Sequence, residues 1–338
     1  MAVGATTSGS PTIQPVEFCC PSCRGPVVEQ AQSYECSACA RRYPILFGIP
    51  DFRLRSDRYL SLEEERAKAE KLHKAAETRS FAELLAYYYE ITDDVTPAAA
   101  ARFASYALDG PRRAGLAMDD FADTGRHGRL LDVGCGSGGA ILAGGDRFAS
   151  VVGLDIALRW LVIARKRLEE SSVVATLVCA DLAAPPFADG QFDHVLALDV
   201  VEHAYEIEPA ICAIRGQLRP GGTLWLSAAN RHWLGPHPAT GVWAAAFRSP
   251  RSRLVSRGPD AYDALRFVAF LSPGKLRKAC GQAGLDVVDI RPSRISGKRG
   301  GGLKGLAMDG YAAVRQSRRF GPLLTALGPF FQLVARAP

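Results

Sequence analysis

The chain has 338 residues, 48% of them apolar and 22% charged, with a formal net charge of +6. That composition belongs to a globular protein with one large domain and room for a small one. No stretch approaches the ~20 uninterrupted apolar residues of a membrane span, and the opening MAVGATTSGSPTIQP has neither the basic start nor the apolar core of a secretory signal, so the expected location is the cytoplasm.

Residues 1–15 are expected to be disordered, and residues 16–55 form a cysteine module. Five of the nine cysteines fall between Cys19 and Cys39. An odd, clustered count suits metal ligation and buried thiols better than a disulfide framework. Cys20-Pro-Ser-Cys23 and Cys36-Ser-Ala-Cys39 are paired C-x-x-C knuckles whose four thiolates suit a tetrahedral structural zinc. Cys19 can also pair with Cys23, although the C-P-x-C form favours Cys20. A module this short buries too little apolar surface to hold itself without such a staple.

Residues 56–123 read as a helical linker or lid. Ser61 with Glu64 is a capping-box pattern opening a helical stretch that runs to about Glu90, and "TDDVTP" breaks it. A second helical region spans roughly 97–123. Tyr87, Tyr88 and Tyr89 are consecutive and cannot share one helix face, so a lid wall claims at most some of them.

Residues 124–338 form the main domain. Strand-like runs RLLDVG, SVVGLD, VATLVCAD, FDHVLALD and GTLWLSAAN alternate with helical patterns, including one with Leu158, Leu161, Val162 and Leu168 on a single face. This alternation predicts an α/β, doubly wound sheet. Two late strands, LDVVDIR and FFQLVARAP, are able to close the sheet as a hairpin. Two insertions are expected, a substrate loop over 231–271 and a basic segment over 293–325. Between Arg291 and Arg319 stand eight Lys or Arg and one acid, which leaves the remainder of the chain near neutral. A basic face so confined indicates a local anionic contact or a solvated loop, not a protein that coats nucleic acid.

After the first strand, Gly134, Gly136 and Gly139 fit G-x-G-x-x-G, and Gly134, Gly136 and Gly138 fit the tighter G-x-G-x-G. Glycines there let the backbone approach a ligand closely. Asp155, ending the second strand, suits a ribose diol. Asp132 stands two residues before Gly134, where a carboxylate serves a ligand ammonium and a pyrophosphate has no use for one. Asp181 ends the third strand and suits an adenine amino group, with the Leu182 N–H reaching the ring. Ile156, Leu198 and Asp199, at the ends of the second and fourth strands, complete the cofactor set.

On LLDVGCGSGG, VVGLDI, CADLAAPPFADGQFDHVLALDVVEH and LRPGGTLWLSAANR, the chain resembles the class I S-adenosylmethionine-dependent methyltransferases of type 11/12. The likeness spans about 129–230. It implies a Rossmann-like, seven-stranded sheet with a final antiparallel strand. It also implies S-adenosyl-L-methionine with its methionine moiety over the Gly134–Gly138 loop, ribose on Asp155 and adenine near Asp181. The two cysteine knuckles, with Tyr43-Pro44-Ile45 and Gly48-Ile49-Pro50, resemble the small zinc-ribbon proteins that activate RNA and protein methyltransferases.

Catalytic candidates follow the fourth and fifth strands. His203, with an ordinary pKa near neutrality, is a candidate base. His232 and His237 lie in the Pro-punctuated NRHWLGPHPATGVW, where Asn230 is a further candidate for substrate contact. Asp199, Glu202 and His203 also resemble a D/E-x-x-E-H arrangement that supports a divalent metal in some ubiquinone-pathway O-methyltransferases. The leading expectation is methyl transfer to oxygen or nitrogen of a small molecule, such as a secondary metabolite. The alternative is an RNA methyltransferase using the ribbon and the basic segment, against which the fourth-strand motif is D-V-V-E-H and not N/D-P-P-Y/F. A non-catalytic binding module, or other chemistry on this scaffold, is the third reading; the intact Asp132, Gly134, Gly136 and Asp155 set argues against a degenerate site.

Overall fold

The structure, a computed structural model, describes residues 15–57, 59–93, 95–120, 128–233, 271–294 and, within 310–338, all but 312, 313, 316 and 318. Residues 1–14, most of the 231–271 loop with His237, and Gly297 to Gly305 of the basic segment lie outside the described residues. Among those described, no helix is long and apolar enough to cross a membrane.

The cysteine module is a small antiparallel sheet of β1 (Val27–Gln30), β2 (Ser33–Cys36), β3 (Arg42–Leu46) and β4 (Ile49–Pro50). Four helices follow: α1 (Leu62–Ala76), α2 (Phe81–Glu90), α3 (Pro97–Leu108) and α4 (Gly110–Asp120). The Ser61–Glu64 capping box forms as the sequence predicts. A second box at Ser80–Glu83 restarts the chain as α2, so the first helical stretch is two helices. The second stretch also divides, at Asp109–Gly110. The three tyrosines part company: Tyr88 is buried against Trp160, Tyr89 stacks on Phe103 and Tyr87 lies under Arg79.

The main domain comprises β5 (Arg129–Val133), α5 (Gly139–Gly144), β6 (Ser150–Asp155), α6 (Leu158–Glu170), β7 (Thr176–Cys179), β8 (Phe192–Leu198), α7 (Ile207–Gln217), β9 (Leu218–Ala229), α8 (Pro273–Gln282), β10 (Asp286–Pro292), α9 (Gly321–Leu327) and β11 (Phe330–Arg336). Its seven strands run in the order β10-β11-β9-β8-β5-β6-β7. β5 to β9 pair in parallel, and β11 inserts antiparallel between β9 and β10. The last strand thus closes the sheet from inside it. The LRPGG stretch lies within β9, where the pairing with β8 skips from Phe192–Leu218 to His194–Thr223. A bulge of this kind lets α7 run directly into the strand.

Side chains alternate across the sheet and feed two cores. Leu130, Val151, Leu196 and Trp225 face α1, α2 and α6, where Leu158, Leu161, Val162 and Leu168 are buried as their spacing predicts. Leu131, Val152, Val195 and Leu224 face the opposite side, with α7, α8 and the cysteine module. The module shares that core. Phe18 contacts Tyr34, Phe52 and Phe187 with ring centroids 5.2–5.8 Å apart, and Phe187 meets Phe192. Arg24 donates to the carbonyls of Pro185 and Phe187 at 2.9 and 2.8 Å.

After β4 the chain covers the edge of the large sheet. Asp51 bridges Cys179 in parallel, and the Phe52 N–H donates to the Cys179 carbonyl at 2.8 Å. That protects an edge strand whose polar groups would otherwise stand open. Beyond it Arg159 of α6 is buried between Asp57 and Glu65 of α1. At the far side Asp120, ending α4, is gripped by Arg294 and Arg315, and its carbonyl accepts from Arg291. Removing the shared cation leaves two buried acids without their counter-charge. Arg159→Gln is therefore expected to lower unfolding free energy by about 3 kcal/mol, measured by urea denaturation.

Candidate functional site

The carboxyl ends of β5, β6, β7 and β8 lie along one edge of the parallel sheet, where an open α/β fold presents its ligand crevice. After β5 the backbone turns through Gly134 and Gly136, both at positive φ (68° and 49°). The Gly134 N–H donates to the Leu154 carbonyl at 2.7 Å, which fixes the loop against β6. A Cβ at Gly134 would lie 2.1 Å from Val200, so the loop packs directly on the turn after β8. At Gly136 the nearest atom would be 4.0 Å away, which leaves that backbone open to a ligand.

Asp132 is 3% exposed, and its Oδ2 has no hydrogen-bond partner among the described residues. Burial pushes its carboxyl well up, and the neighbouring Asp155 adds to the effect. A ligand ammonium would satisfy this oxygen and restore the charge. Asp155 accepts from the Gly136 and Ala157 N–H groups, each at 2.8 Å. Burial raises its pKa against those donors. Each of its oxygens keeps a lone pair for a hydroxyl. Asp181 accepts from the Ala183 N–H at 2.9 Å and from Arg55 Nε at 2.6 Å. Ile156, Leu182 and Leu198 are half-buried beside these acids. The residues at these four strand ends therefore fit an S-adenosylmethionine whose ammonium, ribose and base meet Asp132, Asp155 and Asp181.

Sequence reasoning missed what closes this edge. From the lid, the Tyr106 hydroxyl of α3 donates to Asp199 at 3.0 Å, and the Arg113 guanidinium of α4 lies 3.2 Å from the Tyr106 ring centre. Ser227 donates to the other Asp199 oxygen at 2.6 Å. Asp199 itself is held at φ 54°, a conformation uncommon outside glycine and frequent at functional sites. Arg167 of α6 donates to the carbonyls of Ala107 and Leu108 at the end of α3 and to Ser137 in the glycine loop. Burial lowers its pKa to about 10. Arg53 donates to the Ile156 carbonyl, and Arg55 stacks on Tyr205 with 3.9 Å to the ring centre. The one signal for these was the alternation of charge at Asp51, Arg53, Arg55 and Asp57, which reads as a solvated strand face.

Two of the candidate histidines, His203 and His232, stand further out. His203 ends a short 3-10 turn (Val201–His203) and is exposed. His232 is exposed beyond β9, its N–H donating to Asn230 Oδ1. Asn230, expected near substrate, is buried and donates to the Thr325 and Ala326 carbonyls, so it anchors α9. Asp199, Glu202 and His203 do not gather as a metal site; among the described residues the one group of three or more suitable ligands is Cys20, Cys23, Cys36 and Cys39. Their sulfurs lie within 4.8 Å of one another, with 3.7 Å for Cys20–Cys39 and 3.5 Å for Cys23–Cys36. A tetrahedral zinc with Zn–S near 2.3 Å sets sulfurs about 3.8 Å apart, so the four fit. Cys19 points away and donates to the Phe187 carbonyl, its thiol pushed up by burial.

Glu202 accepts from the Ala229 N–H, while its second oxygen is buried without a partner among the described residues. Burial, reinforced by Asp199, raises its pKa to about 8. An acid whose folded pKa is raised favours folding below its unfolded value, and that stability is lost as pH rises through the folded one. The melting temperature should fall by several degrees between pH 5 and pH 8.5, and Glu202→Gln should flatten that slope.

The methyltransferase domain family matches residues 131–226. The ubiquinone biosynthesis O-methyltransferase of Bordetella bronchiseptica is 31% identical over 169 residues, 48% of this chain and 64% of that protein. The enzyme of the same name from Aromatoleum aromaticum is 29% identical over 219 residues, covering 64% and 84%. Phosphoethanolamine N-methyltransferase 2 of Haemonchus contortus, solved with S-adenosyl-L-methionine, is 17% identical with a TM-score of 0.45, over 67% of this chain and 52% of that one. The chain thus spans somewhat under two thirds of the first relative. Residues 131–226 thus match a methyltransferase domain, and the sheet order and strand-end acids agree with that match.

Proposed function

We propose that the protein transfers the methyl group of S-adenosylmethionine to an oxygen or nitrogen of a small-molecule acceptor. The observation that carries the reading is the unpartnered, buried Asp132 oxygen beside the open backbone of Gly136. The cofactor supplies a methyl group already activated on a sulfonium. The protein has to align a nucleophile, exclude water and accept a proton where the acceptor has one to lose. Asp199, in contact with the lid through Tyr106, is the group to orient an acceptor hydroxyl or ammonium. His203, on the exposed turn beyond it, is the side chain assigned to proton removal. Engagement of Arg291, Arg294 and Arg315 with Asp120 favours a small acceptor over RNA.

Calorimetric titration with S-adenosylhomocysteine tests the cofactor assignment. Asp132→Ala and Asp155→Ala should each weaken binding roughly ten- to a hundredfold, the scale of hydrogen bonds to charged groups. Binding of NAD with no response to S-adenosylhomocysteine would overturn it. In a methyl-transfer assay, His203→Ala should lower kcat by about a hundredfold with cofactor affinity little changed. Unchanged kcat in His203→Ala, His232→Ala and His237→Ala alike assigns catalysis to alignment alone.

The four-cysteine cluster is proposed as a structural zinc site. Metal analysis should find one zinc per chain, lost in Cys36→Ser and retained in Cys19→Ser. The Cys19 variant loses only its thiol contact with Phe187.

A further inference from the structure

We propose that Arg55, on the segment leaving the zinc-ribbon-like module, is a cofactor-contact residue that covers the adenine side of the site together with Tyr205. The proposal rests on the reading of Asp181 as the acid facing the base. Residues 51–57 form a strap across the carboxyl ends of β6 and β7. Arg53 pairs with Asp51 and reaches the Ile156 carbonyl, and Asp57 pairs with Arg159. Both are buried, and they pin the strap on either side of Arg55. Arg55 itself is 46% exposed at its side chain, against 11% for its partner Asp181.

Only its Nε is engaged, on Asp181; its two Nη nitrogens make no hydrogen bond among the described residues. The guanidinium carbon lies over the Tyr205 ring, 3.9 Å from its centre, and the Tyr205 hydroxyl donates to the Ser56 carbonyl. A planar cation, backed by an aromatic ring and held on the base-facing acid, is suited to lie over a purine and to donate to its ring nitrogens. Asp181 keeps a lone pair on each oxygen for an exocyclic amino group. This role uses a segment outside the methyltransferase sheet, so the module contributes to the cofactor site through its exit strap.

The test is titration of the full chain with S-adenosylhomocysteine and with 5′-methylthioadenosine, which lacks the amino-acid end. Arg55→Ala should weaken both by a similar factor, about tenfold. Arg55→Lys should recover little, because an ammonium keeps the charge but not the plane. Zinc content should match the wild type and the ligand-free melting temperature should fall only slightly, since Arg55 is half-exposed and Asp181 keeps the Ala183 N–H. Arg55→Ala binding as wild type, or more tightly, would overturn the role, as would a loss seen with S-adenosylhomocysteine alone. Failure of the wild type to bind either ligand would instead sink the reading of the cofactor site beneath it.

Discussion

A buried carboxylate with an oxygen unpartnered among the described residues is the constraint around which this protein is arranged. Asp132 ends β5 in the centre of the parallel sheet, where desolvation disfavours its charge and Asp155 on the next strand adds repulsion. Such a group is costly unless something cationic arrives. The neighbouring geometry makes arrival feasible. Gly134 is packed against Val200 and cannot carry a side chain, while Gly136 leaves bare backbone facing the crevice. The acid and the loop together describe a site that is completed by its ligand.

Two separate parts of the chain close over that edge, from opposite sides. The lid helices meet the glycine loop through Arg167, a buried cation directed at the carboxyl end of α3, where the helix dipole favours it. The strap closes the other side, anchored by Arg53 and Asp57. Between the two lie the strand ends that carry Asp155 and Asp181. The lid side also holds Asp199 in a strained backbone conformation, with Tyr106 and Ser227 taking one oxygen each. The two sides of this edge are therefore built by different segments on one rigid sheet.

The cysteine module is more than an appended staple. Its aromatic residues join Phe187 and Phe192 in one core, and its exit segment covers the edge strand β7. A module of this size has little apolar surface of its own. Docking supplies a second source of stability beside the cysteine cluster, and Cys19 serves that docking while the other four cysteines converge.

The sequence by itself determined the sheet strands, the amphipathic face of α6, the first capping box, the two cysteine knuckles and the acids at the strand ends. These are local: they follow from residue periodicity, from turn chemistry and from short spacings within one element. It did not reveal the second capping box as a helix break, the bulge at LRPGG or the insertion of β11 between β9 and β10, because register depends on which strands meet. The strap shows the reason most plainly. Asp51, Arg53, Arg55 and Asp57 alternate with Phe52, Leu54 and Ser56, a pattern that reads as a charged face in water. In the fold Asp51, Arg53 and Asp57 are buried while Leu54 is exposed. Their partners, Ile156, Arg159 and Asp181, lie more than a hundred residues away. A charge can be buried only where opposite charge or a carbonyl meets it. Tertiary structure alone decides where that happens, and here it turned a polar linker into a wall of the site.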